Sequence, residues 1–120
     1  MPFGARAVII KSMKANFTEI NSIEQLDELF EKSNENPVVL FKHSTTCPIS
    51  AGVHQEISNA DADINMVIMQ KARNISDEIA RRTGIRHESP QAIILKNGKV
   101  VYHAAHYDVT AEDIDSRYKI

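Results

Sequence analysis

Two spacings of apolar residues alternate along this chain. Ile23, Leu26, Leu29 and Phe30 recur at the three-and-four interval of a helix that buries one face. Ser22-Ile23-Glu24-Gln25 starts it as a capping box, in which the serine oxygen accepts from the backbone N–H three residues on and the glutamine reaches back. Asn34 to Pro37 ends that helix. Val38-Val39-Leu40-Phe41 then runs apolar without a break, as in a strand covered on both faces. Ala51, Val53 and Ile57 return to helical spacing, with Gly52 fitting best if something packs close against it. Ile64 to Met69 reads as a strand in which Met66 and Met69 fill the core. Ile75, Ile79 and Ala80 give a third helix, and Gly84 after Arg81-Arg82 suits its left-handed C-terminal cap. Ala92 to Leu95 and Lys99 to His103 flank Asn97-Gly98, a hairpin signal because both turn residues tolerate positive φ. Thr110, with Asp113 three residues on, opens a last helix carrying Ile114 and Tyr118. Arg117 and Lys119 lie at that helix's C-terminal end, where the dipole favours positive charge.

With a weak first strand at Asn16 to Ile20, the order is β-α-β-α-β-α-β-β-α. Alternating strands and helices imply an α/β domain with a largely parallel central sheet and helices on both faces, and the terminal hairpin makes that sheet mixed. Residues 1–15 show no clean period and read as a tail, Met13 being able to serve as an alternative start, so 16–120 form the domain.

Composition narrows the picture. The chain has 120 residues, 42% of them hydrophobic and 25% charged, in the range of a globular domain with one core. Net charge is -2, with no block of like charge to follow a phosphate backbone, so nucleic acid is not an expected partner. No apolar run approaches the roughly 20 residues that span a bilayer. Ala7 to Ile10 is shorter than a secretory leader's apolar stretch, so the expected setting is the cytoplasm. The single cysteine cannot form an internal disulfide, and any oxidation of it must involve a second molecule.

That cysteine, Cys47, stands between the Val38 to Phe41 strand and the next helix, with Pro48 where a first helical residue needs no N–H. The sulfur then occupies the N-cap, facing backbone N–H groups and the positive end of the helix dipole, which favour a thiolate. A thiolate is the species that attacks a disulfide. Cys47-Pro48-Ile49-Ser50 has the spacing of a C-x-x-C redox pair with a hydroxyl in place of the second sulfur, and Ser50 is a candidate donor to the first. A mixed disulfide on Cys47 therefore waits for an external thiol. His103 and His106 are near metal-ligand spacing, but no second cysteine or carboxylate set joins them, so no metal is expected. His87 and His43 fall near the same end of the fold and could add positive potential there. His54 reads as a surface residue.

A strand, then Thr46-Cys47-Pro48, then a helix, with Ser89-Pro90 preceding a later strand, resembles the thioredoxin-like superfamily over about residues 16 to 118. That resemblance implies a cis Pro90 facing the sulfur, with the backbone of Ser89 pairing with an extended substrate. More narrowly, "TCPIS", "GIRHESPQ" and "HAAHYDVT" resemble the bacilliredoxin C family, also called YtxJ. The resemblance implies a thiol-disulfide oxidoreductase that uses bacillithiol as co-substrate, with no bound cofactor. Cys47 would be the nucleophile, supported by Thr46, Pro48 and Ser50, while His87, Ser89, Pro90 and Tyr107 would contact substrate. Tyr107 stands where tryptophan is expected in that family. Partners implied are bacillithiolated proteins, the low-molecular-weight thiol and an external reductase.

Three other readings stay open. A monothiol glutaredoxin-like iron-sulfur carrier shares C-x-x-S, though Pro48-Ile49 departs from its C-G-F-S. A single-cysteine peroxidase has Ser44 three residues before its sulfur, but Leu40 replaces the expected proline. A non-catalytic thioredoxin-like binding module predicts an unreactive Cys47.

Overall fold

The computed structural model describes residues 15–118. The tail reading for residues 1–14, and Lys119, lie outside the described residues. In chain order the elements are β1 (Asn16–Glu19), α1 (Ile23–Lys32), β2 (Val38–His43), α2 (Pro48–Ile57), β3 (Asp63–Ile68), α3 (Arg73–Thr83), β4 (Gln91–Lys96), β5 (Lys99–Ala105), a 3-10 turn (His106–Asp108) and α4 (Ala111–Tyr118). This is the order the hydrophobic spacing predicts.

The five strands form one sheet in the order β1-β3-β2-β4-β5. Strands β1, β3 and β2 are parallel, and β4 runs antiparallel to both β2 and β5. Successive strand residues point to opposite faces, so each central strand supplies two cores. Val39, Phe41, Ala92 and Ile94 pack with Val53 and Ile57 of α2 and Ile114 of α4. Val38, Leu40, Ile93 and Leu95 pack with Leu26 of α1 and with Ile75 and Ile79 of α3. Such two-sided burial is why β2 and β4 read as unbroken apolar runs.

The local signals act largely as expected. Ser22 Oγ accepts from Gln25 N at 3.1 Å. The reciprocal bond lands one residue early, because Gln25 Oε1 accepts from Asn21 N at 2.8 Å instead of from the capping serine. Gly84 caps α3 at φ 74°, and Asn97 and Gly98 turn the hairpin at φ 54° and 73°.

Four expectations are corrected. Strand β2 runs past Phe41 through Lys42 and His43, and Lys42 is only 1% exposed. Its alternation carries the Lys42 stem to the α3 face, where Nζ donates to the Ser76 carbonyl at 3.2 Å, so the buried head has a partner. Ala51 is exposed, and α2 buries Ser50 with Val53 and Ile57 instead. Nothing packs close to Gly52. His54 is half-buried, its ring stacked on Phe17 with centroids 4.5 Å apart. Among the described residues, no helix is long and apolar enough to cross a membrane.

Candidate active site

Cys47 is the N-cap of α2, with extended backbone (φ -102°, ψ 120°) and Pro48 in the first helical position. Its carbonyl accepts the first helical bond, from Ala51 N at 3.0 Å. The residue is half-buried, and its neighbours Thr46, Pro48 and Ile49 are exposed. The sulfur makes no capping hydrogen bond, although the chain sets it in the capping position. Sulfur is a weak acceptor, and proline removes one of the first-turn donors.

Ser50 does not serve the sulfur as a hydroxyl donor. Its oxygen is buried, accepts from Ser44 N at 3.0 Å and lies 2.8 Å from His43 Nδ1. The hydroxyl thus ties the end of β2 to the first turn of α2 and fixes the intervening loop. His43 in turn lies 4.9 Å, ring to ring, from His54. Burial holds both imidazoles below the usual histidine range, and each proton His54 takes up disfavours one on His43. At neutral pH this pair is therefore uncharged, and His43 adds structure beside the site, not positive potential.

Gln70, just after β3, holds the other side of the loop. Its Nε2 donates to Ser44 Oγ at 2.9 Å and to Thr46 Oγ1 at 3.1 Å, while Oε1 accepts from Thr45 N at 3.2 Å. Thr46 is accordingly a loop anchor one residue from the sulfur.

The Ser89–Pro90 peptide is cis. Lys42 pairs with Gln91 across β2 and β4, and continuing that antiparallel register brings Pro90 level with His43, beside the cysteine loop. The Pro90 carbonyl accepts from His106 N at 2.9 Å, linking this loop to the 3-10 turn that packs against α2. That turn presents Tyr107, 70% exposed, and Ile49, two residues after Cys47, is also an exposed apolar side chain. The 3-10 turn's His106 pairs with Glu88 at 3.5 Å. No group of three or more His, Cys, Asp or Glu side chains among the described residues is arranged to hold a metal.

His87 faces inward. Its Nδ1 lies 3.3 Å from Lys42 Nζ and 3.1 Å from Ser76 Oγ. Burial first, then the Lys42 charge, keeps this imidazole below the usual histidine range, so the cation at this position is Lys42, not His87. Burial also pushes Lys42 down to about 8, against the opposing pull of Asp77. Sequence reading names Cys47, Thr46, Pro48, Ser50, His87, Ser89, Pro90 and Tyr107, and the structure sets Thr46, Pro48, Ser50 and Pro90 about the Cys47 loop, with His87 turned toward Lys42 and Ser76. It misses Lys42, Gln70 and Ser76. Strand alternation past Phe41 could have flagged Lys42, whereas no local signal points to Gln70 or Ser76.

Chemically, this is one accessible sulfur at a helix start, held by a polar lattice below and flanked by exposed apolar side chains, with no second sulfur to resolve it. A family model described as "Monothiol bacilliredoxin BrxC" matches residues 18–114. A solved structure described as a candidate oxidoreductase with a thioredoxin fold is 32% identical, with a TM-score of 0.77, over 87% of this chain and 94% of that one. Thioredoxin f from spinach chloroplast (19% identity, TM-score 0.65, 88% and 95% coverage) and a Schistosoma mansoni thioredoxin (21%, 0.63, 91% and 95%) share the fold.

Proposed function

We propose that this chain, which belongs to the monothiol bacilliredoxin family and so to the thioredoxin-like thiol-disulfide oxidoreductases, removes bacillithiol from mixed disulfides on proteins through Cys47. The Cys47 thiolate attacks the bacillithiol sulfur of a protein–S–S–bacillithiol bond. A new disulfide forms between Cys47 and bacillithiol, and the client leaves as a thiolate that takes a proton from solvent. A second thiol, free bacillithiol or a partner reductase, then attacks the carried sulfur and returns Cys47 to its thiolate. No net electron passes to Cys47 over the two steps.

The observation that carries this reading is the use of Ser50. The position that holds a resolving sulfur in a C-x-x-C pair is a buried hydroxyl bonded to His43 and Ser44, so the carried thiol cannot be expelled from within. Tyr107 and Ile49 offer an apolar surface on which a client can rest, and the Ser89-Pro90 backbone offers an edge for its extended segment. The setting in this reading is the cytoplasm, where protein thiols are kept reduced.

The test is to mix the purified chain with a bacillithiolated client and weigh both. The mass of bacillithiol should leave the client and appear on the wild-type chain. A Cys47→Ser variant that still stripped the client would end the proposal.

A further inference from the structure

Ser50 stands where a second sulfur would reach Cys47, yet its polar contacts run the other way. The residue is fully buried, so solvent does not serve its hydroxyl. Among the described residues that hydroxyl has two polar neighbours, Ser44 N at 3.0 Å and His43 Nδ1 at 2.8 Å. A hydroxyl carries one hydrogen and two acceptor sites, and a backbone N–H can only donate. Ser44 therefore fills one acceptor site, and the hydroxyl hydrogen needs an acceptor of its own, which His43 Nδ1 supplies. Satisfying both contacts assigns the neutral imidazole its hydrogen on Nε2 and leaves Nδ1 bare.

A proton taken from solvent by His43 reverses that bond. Both nitrogens of an imidazolium donate, so Nδ1–H then points at the Ser50 oxygen. The oxygen now accepts twice, from His43 and from Ser44, and its own hydrogen must turn to another acceptor, because a buried donor left unpaired is costly. Cys47 is the N-cap of α2 and Ser50 lies in the first turn of that helix, so the sulfur is the acceptor on the side away from His43. A thiolate accepts such a bond better than a thiol or a disulfide sulfur, since charge strengthens it. We infer that His43 is a positioning residue for Cys47, a role that rests on Cys47 being the reacting thiolate of the transfer above. Through the Ser50 hydroxyl, the protonated imidazole and the thiolate stabilise each other, and the neutral imidazole draws the hydroxyl away from the sulfur.

The surroundings leave His43 few other partners. On α2, the His54 ring lies 4.9 Å from it, and among the described residues His54 is the charge that acts on it. Glu56 of α2 is engaged elsewhere, accepting from Ala111 N at 3.0 Å. Lys42 projects to the α3 side of the sheet. His106, in the 3-10 turn that packs on α2, is paired with Glu88. Phe41, stacked on His43, and Phe17, stacked on His54, supply uncharged walls. Burial and His54 both disfavour a proton on His43, which leaves the thiolate as the group that favours one. Once Cys47 carries a small thiol it is no longer an anion, and that support is withdrawn. The protonation of His43 thus registers whether the sulfur is free or loaded.

Two measurements test this. In the first, alkylation of Cys47 by iodoacetamide is timed by intact mass from pH 4.5 to pH 8. His43→Asn keeps an amide oxygen to accept from Ser50 but takes up no proton, so its rate should fall about tenfold per pH unit on the acid side. The wild-type rate should fall less steeply there and stand at least about threefold above the variant at pH 5. In the second, His43 is titrated by NMR with Cys47 free and with Cys47 capped by methyl methanethiosulfonate. By reciprocity, capping should weaken the hold of His43 on its proton at least about threefold, and Ser50→Ala should close that gap. Parallel alkylation profiles, or a His43 titration unmoved by capping, overturn the inference. A gap that persists undiminished in Ser50→Ala also overturns it, since the thiolate would then act on His43 without the hydroxyl. If Ser50→Ala does not fold, the alkylation profiles of the other two chains decide. Neither measurement uses a bacillithiolated client, so the transfer reading and this one fail separately.

Discussion

His43 Nδ1 and Ser50 Oγ are 2.8 Å apart, joining the last residue of β2 to the first turn of α2 beneath the cysteine loop. The same hydroxyl accepts from Ser44 N at 3.0 Å. Ser50→Ala leaves a backbone N–H and an imidazole nitrogen without their partner, at a cost of about 1–3 kcal/mol. Urea unfolding should show that loss. An unchanged midpoint would mean that water or a neighbour replaces the hydroxyl.

Ser50→Cys tests the same position in the opposite sense. Cys47 is the N-cap and position 50 falls within the first turn of α2, which is the placement of a C-x-x-C pair. Mild oxidant should produce an internal disulfide, seen as loss of two hydrogens by intact mass and as loss of both free thiols. The carried small thiol should then be expelled from within, and a trapped mixed disulfide should be hard to accumulate.

Gln70→Ala removes the bonds to Ser44, Thr45 and Thr46 at once. Gln70 is exposed, so the stability loss should stay below about 1.5 kcal/mol. Transfer through Cys47 should nevertheless slow several-fold, because the loop before the sulfur loses its outer tether. A rate unchanged alongside a normal melting temperature would show that the Ser50 bonds alone hold the loop.

Lys42 carries a pH signature of its own. Its folded-state pKa, near 8, is below the ordinary value of 10.5, so the unfolded chain binds the extra proton between those limits. Stability from this group is fully present above about pH 10.5 and is lost as pH falls toward 8. Lys42→Met, which keeps the apolar stem, should flatten that dependence, and below pH 8 it should regain up to about 3 kcal/mol relative to its difference from wild type at pH 10.5. Denaturant midpoints across this window for the two chains give the comparison directly. Parallel curves would mean that Lys42 keeps its ordinary affinity for the proton.

On the acid side the histidines act in the same direction. Burial lowers His43, His54 and His87 below 6.5, so the unfolded chain takes up protons first and the fold loses stability as pH falls through and below that value. His54→Phe keeps a ring against Phe17 and removes one of these sites together with its repulsion on His43. Its urea midpoint should therefore fall less between pH 7.5 and pH 5.5 than that of the wild type. An equal or larger fall would place the acid sensitivity elsewhere.

What the sequence determined by itself was set by local and periodic chemistry. Helical and strand spacings, the Ser22 cap, Gly84 and the Asn97-Gly98 turn each require only a few neighbouring residues, and together they dictate the element order. Cys47-Pro48 likewise marks its own helix start, because proline suits the first helical position whatever the tertiary fold. What only the tertiary structure decided were contacts between residues far apart in the chain. Lys42 looks like the end of an apolar run until α3 and His87 arrive to give its ammonium partners 34 and 45 residues away. Gln70 is an ordinary turn residue until the parallel pairing of β2 and β3 carries it to the cysteine loop. Ser50 reads as a donor to its helix neighbour, but tertiary packing sets its oxygen against His43 Nδ1 and Ser44 N instead.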